Sequence, residues 1–71
     1  MQRVGESRAN LWLNLSRHMA VRIPKADLGY FAGLDPRNLT GRRLEVRGWI
    51  YRRRGELRMT VRHPAALRVL D

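Results

Sequence analysis

The chain contains no cysteine, which excludes disulfides and thiolate metal sites and with them the usual staples of a small domain. No apolar run approaches the roughly 20 residues of a membrane-spanning helix. Acidic side chains are scarce: Glu6, Asp27, Asp35, Glu45, Glu56 and Asp71 stand against 15 lysines and arginines. No two of these acids form a close D-x-D pair, so a hard cation that needs several oxygen ligands finds no assembled set. The only histidines, His18 and His63, sit at a turn and before a proline, where solvated or hydrogen-bonded structural roles are expected. Ser7 and Ser16 have no nucleophile elbow around them, and Gly5, Gly48 and Gly55 form no phosphate-cradling motif. The residues therefore predict a non-catalytic protein with neither metal nor cofactor. The opening MQRVGESRAN has no hydrophobic segment behind its arginine and does not read as a signal peptide. The expectation is a cytoplasmic monomer with no membrane span. The periplasm stays open if the domain is cut from a longer, secreted parent.

What is present is positive charge. A chain of 71 residues makes one small domain, residues 1–71, and its 44% apolar content marks it as globular rather than disordered. The net charge is +9 with a pI near 11.8. It is uneven: residues 1–35 hold five basic and three acidic side chains, residues 36–71 ten and three. Such asymmetry favours a polyanionic partner, nucleic acid first. Every basic residue but Lys25 is arginine, the side chain suited to bidentate phosphate contacts and to stacking on bases.

The run GRRLEVRGWIYRRRGELRMTVR, Gly41 to Arg62, alternates with period two through two segments joined by a glycine-containing turn, the pattern of a β-hairpin. Leu44, Val46, Gly48 and Ile50 share one face of the first segment; Glu45, Arg47, Trp49 and Tyr51 share the other. Leu57, Met59 and Val61 oppose Arg58, Thr60 and Arg62 in the second. A strand that buries aliphatics and displays Arg, Trp and Tyr has both ingredients of a single-stranded nucleic-acid surface. The plainer alternative is a solvated outer face with half-buried aromatics.

Two earlier runs alternate as well. NLWLNL places Leu11, Leu13 and Leu15 against Asn10, Trp12 and Asn14; MAVRI places Met19, Val21 and Ile23 against Arg22. Ser16, Arg17 and His18 connect them tightly, which predicts a second hairpin. Arg3 and Val4 read as the tail of a leading strand, with Gly5 as a bulge or bend. After Pro24, one or two helical turns are expected, with Asp27 as a cap, Leu28 and Phe31 facing the core and Gly33 as the stop. Asp35-Pro36 opens a turn-rich connector. His63-Pro64 ends the last long strand, Ala65-Ala66 forms a helical turn, and Leu67 to Leu70 is a short closing strand.

The predicted fold class is all-β: a five- to six-stranded Greek-key barrel of OB-fold type, with one short helix between strands three and four. An SH3-like barrel is the runner-up, but it is not expected to carry a helical segment there. One of the two tryptophans, Trp12 or Trp49, would plug a barrel end or cover a partner surface.

The VGES opening, the LN strand, GRRLEVRGW and the closing HPAALRVL together resemble the small OB-fold domain of bacterial thermonuclease-related proteins, over nearly the whole chain. The resemblance implies a fold more than an activity. Thermonuclease-type catalysis implies acidic residues holding Ca²⁺, and this chain has no such set. The Leu44–Trp49 segment also resembles the start of the OB-fold anticodon-binding domain of class II tRNA synthetases, over about one strand.

Two functional readings follow. The first is a nucleic-acid-binding OB module, favouring single strands with little sequence preference. Arg47, Arg52, Arg53, Arg54, Arg58 and Arg62 would meet phosphates, and Trp49 and Tyr51 would stack on bases. The second is an accessory or structural domain whose basic face docks on an acidic protein surface.

Overall fold

Leu11, Leu13, Val21 and Ile23 are wholly excluded from solvent, and the fold is organised around them. They alternate along β2 (Asn10–Ser16) and β3 (Met19–Pro24), which form an antiparallel hairpin through Arg17 and His18. The computed structural model describes residues 1–70. β1 (Arg3–Glu6) pairs antiparallel with β2. The two remaining strands of the sheet are β5 (Ile50–Arg53) and β6 (Glu56–Thr60), again an antiparallel hairpin. β6 joins β3 in parallel, Val21 opposite Met59, so the sheet runs β1-β2-β3-β6-β5. β4 (Leu44–Val46) and β7 (Leu67–Val69) form a separate antiparallel ladder. The result is a small, sheet-rich domain with little helix. Among the described residues no continuous ladder closes the strands into a barrel.

The inner side of the sheet meets Phe31, Leu39 and Leu67 in one core, with Met59 and Val61 from β6 and the residue just beyond it. Full burial of each such side chain contributes about 1.5–3 kcal/mol before entropy is counted. Leu28, Leu44, Val46 and Val69 cover the margins. The helical segment after β3 is a 3₁₀ helix, Lys25–Tyr30, with Phe31 buried and Leu28 half-buried as the pattern predicts.

Four expectations are corrected. Asp27 does not cap the 3₁₀ helix; its carboxylate instead accepts from Arg62 Nη1 at 3.2 Å, tying the helix to the end of β6. The helix stops at Tyr30, ahead of Gly33, where the Phe31 N–H closes on the Leu28 carbonyl. Gly5 makes no bulge, since it pairs with Trp12 in an unbroken register. The irregularity falls between Asn14 and Ser16, where β2 bends into its turn.

The fourth correction matters most. The Leu44–Tyr51 segment is not one strand. It breaks at Arg47, Gly48 and Trp49, and its halves serve different sheets. Arg47 donates its backbone N–H to the Ala66 carbonyl at 2.9 Å, which holds the first half against the C-terminal turn. Gly48 then takes φ +154° and passes so close to Met59 that an added Cβ would lie 3.3 Å from Met59 Cγ. Only glycine combines that backbone with that approach.

Candidate nucleic-acid interface

Ladder partners point to the same side of a sheet, so the registers identify the outer face. Gly5, Trp12, Arg22 and Thr60 form one row across β1, β2, β3 and β6. Arg3, Asn14, Ala20, Arg58 and Tyr51 form the next, reaching β5. Arg53 and Glu56 close the hairpin end.

Arg58 crosses between the rows. Its guanidinium lies over the Trp12 ring, 5.0 Å from the centroid, and its Nη2 donates to Glu56 Oε1 at 2.9 Å. Trp12 is fixed from its other end, because its Nε1 donates to Ser7 Oγ at 3.2 Å. A cation–π contact of this kind contributes about 0.5–2 kcal/mol, more where water is excluded. The Arg58 side chain is only 22% exposed. The Nε atoms of Arg22 and Arg58 are both buried without a hydrogen-bond partner among the described residues. An unsatisfied buried donor costs about 1–3 kcal/mol, a local cost carried beneath the outer face. An open depression of about 390 Å³, lined by Gln2, Arg3, Asn14, Ser16, Arg17 and Glu56, extends this face toward the β2–β3 turn.

The predicted site residues divide. Tyr51, Arg53 and Arg58 share the outer face. Arg52 lies on the opposite side, facing Leu57, and Arg54 occupies the turn with φ 52°; the glycine-containing turn is Arg54-Gly55. Arg47 and Trp49 lie in the break between β4 and β5 rather than on a strand. Arg47 pairs with Glu45 at 3.6 Å, and Trp49 is 92% exposed. Arg62 follows β6 and pairs with Asp27. Trp12 and Arg22 complete the face and were absent from the predicted site. Both alternate outward in the sequence, but nothing there signals the parallel β3–β6 pairing that sets them beside Arg58 and Tyr51.

Charge compensation differs across the molecule. Glu6 takes both Lys25 and Arg37, at 3.2 and 2.7 Å; the hydrogen bond from Arg37, then Lys25, lowers its carboxyl pKa, and Arg37 is raised in turn. Arg22, Arg52, Arg53 and Arg54 have no carboxylate within 4.0 Å among the described residues. His63 serves the fold: its Nδ1 accepts from the Ala65 N–H at 3.1 Å. Among the described residues no His, Asp and Glu side chains gather into a metal-holding group, and no helix is long and apolar enough to cross a membrane. No family model, curated protein or solved structure matches this chain.

Proposed function

We propose that this domain binds single-stranded nucleic acid, with little sequence preference and without catalysis, across the outer face of its five-stranded sheet. The observation that carries the proposal is the Trp12–Arg58–Tyr51 grouping, with uncompensated Arg22 and Arg53 on the same face. Ring and guanidinium planes accept any unstacked base, because every base has a π-face, and arginine takes the phosphates between them. Duplex bases are already stacked and offer no such faces. Single strands are therefore preferred.

An OB-type arrangement, which the thermonuclease-related resemblance implies, would use such a sheet face with loops flanking it. Two features support that finer assignment. The 3₁₀ segment lies between the third and fourth strands. The Met1 carbonyl and ammonium bond the Gly41 N–H and the Arg42 carbonyl, both at 2.9 Å, so the chain start lies beside the approach to β4.

Titration with labelled single-stranded and duplex oligonucleotides at several salt concentrations tests the proposal. Arg22, Arg53 and Arg54 would neutralise about three phosphates, giving a slope of log K on log salt of roughly −2. Micromolar affinity is expected. Trp12→Ala should weaken single-strand binding about tenfold or more, with the slope nearly unchanged. Equal affinity for duplex, or unaltered binding by a folded Trp12→Ala variant, rules out the stacking face.

A further inference from the structure

The nucleic-acid face leaves one side of β5 unused. Among the described residues β5 pairs only with β6, so its far side is an open sheet edge, and all its residues are exposed. The turn residues Arg54 and Gly55 have φ 52° and 80°, the signature of a two-residue type I′ hairpin. Arg53 and Glu56 close that turn as a hydrogen-bonded pair. Pairs along an antiparallel ladder alternate between bonded and non-bonded. Arg53 and Tyr51 therefore turn their backbone groups toward β6, whereas Arg52 and Ile50 present theirs to the open edge.

The side chains of Ile50 and Arg52 lie on the inner side, opposite Met59 and Leu57. The core stops at Met59, which is 4% exposed, while Ile50 is 56% and Leu57 37% exposed. Trp49, immediately before the strand, is almost fully in solvent. Open edges are commonly blunted by charge. Here Arg52 and Arg53 blunt the edge only against another basic strand.

We infer that β5 accepts one further strand from an acidic, extended segment of a partner protein, by β-strand addition. The outward backbone groups of Ile50 and Arg52 supply the ladder. Apolar residues of the incoming strand cover Ile50 and Leu57 on the inner side, and its carboxylates fall on the other side, beside Arg53 and the turn residue Arg54, which have none of their own within 4.0 Å among the described residues. A second copy of this chain is the poorer occupant, because joining two β5 edges brings two basic hairpins together and adds no carboxylate to compensate them. Nucleic acid is the wrong occupant, since it has no amide ladder to complete. The inference goes beyond the nucleic-acid proposal and does not depend on it, because its ladder is made by the backbone groups of Ile50 and Arg52 at the open edge; Arg53 and Arg54 serve both surfaces.

The probe is a short blocked peptide alternating glutamate with valine, with the lysine–valine peptide as its control. Amide hydrogen exchange should show new protection at Ile50 and Arg52 with the glutamate peptide alone. Arg52→Pro should weaken binding about tenfold or more. Its intrasheet bonds survive, because proline is tolerated where the N–H points off an edge. Arg52→Thr, which loses the charge but keeps the donor, should cost about threefold at most. Ile50→Ser should weaken the peptide without unfolding the domain, and decides the matter if Arg52→Pro does not fold. Trp12→Ala should leave peptide binding intact whether or not the oligonucleotide proposal survives. Equal losses for Arg52→Pro and Arg52→Thr, no loss for Ile50→Ser, or equal binding of the lysine peptide would overturn the inference. So would protection of the same amides by self-association.

Discussion

The corner around Glu6 and the β5–β6 hairpin hold the same kinds of side chain and treat charge in opposite ways. At the corner, one carboxylate satisfies two cations, Lys25 and Arg37, and Asp35 turns inward to its own loop by accepting the Arg37 backbone N–H. At the hairpin, Glu56 is committed to Arg58, and Arg52, Arg53 and Arg54 are left without a carboxylate within 4.0 Å among the described residues. A net charge of +9 therefore says little by itself. What matters for a polyanion is where charge remains uncompensated, because an arginine already paired must first be released before it can take a phosphate.

Exchanging the two regions is the most forceful way to break that contrast. Arg53→Gln with Arg54→Asn should lower oligonucleotide affinity about thirtyfold at low salt and flatten the salt slope by about 1–2, as expected when two phosphate contacts vanish. Asparagine at position 54 suits the left-handed turn, so the hairpin should persist. Lys25→Gln with Arg37→Gln should leave affinity within about twofold while lowering the melting temperature. A reversed outcome would place the binding surface at the corner.

A smaller effect compares the glycines of the same two regions. Gly48→Ala should destabilise by about 1–2 kcal/mol, because a methyl must fit against Met59 at an unfavourable φ. Gly5→Ala should be close to neutral, since its Cβ would meet only Asn14 Nδ2 at 3.7 Å. Thermal unfolding of both variants checks the pair. Similar losses would mean that the break at Gly48 is not a special position.

The smallest effect is pH-dependent. The Glu6 carboxyl is held below its usual 4.5 by Arg37 and Lys25, so its ionised form is favoured by folding. That stabilisation is complete above the ordinary carboxylate range and fades as pH falls through the lowered value. Glu6→Gln should lower the melting temperature at neutral pH and make it less sensitive to acidification. Because Glu6 is exposed to solvent, the difference should shrink in high salt. A variant with the same acid sensitivity as the parent would remove Glu6 from the corner's charge balance.

Much of the fold was legible because alternation reports burial directly. Leu11, Leu13, Val21 and Ile23 were assigned inward from period two and are the most buried side chains of the sheet. Ile50 and Leu57 also have the predicted inward parity, yet they stay exposed, because the hairpin projects past the core and parity says nothing about whether a face is covered. The break at Gly48 was hidden for a related reason. A glycine inside an alternating run fits the pattern as well as a small core residue does, and its close approach to Met59 is a tertiary fact. Arg58 and Tyr51 were legible as outward neighbours within one hairpin. Trp12 and Arg22 were legible as outward in another. Their meeting depends on a parallel contact between segments far apart in the chain, for which no local signal exists.

That parallel contact also sets an order in time. The β1–β2–β3 meander and the β5–β6 hairpin each pair residues close in sequence, so each can form early, but Val21 meets Met59 only after the long intervening segment has closed. Closing such a loop costs chain entropy before any reward arrives. During synthesis the meander emerges first with Leu11, Leu13, Val21 and Ile23 uncovered, and it waits for Met59 and Val61 to arrive. Met59→Ala should accordingly slow refolding in stopped-flow mixing, whereas Ile50→Ser should leave the refolding rate close to that of the parent. The vulnerable moment of this domain lies before its second half has been made.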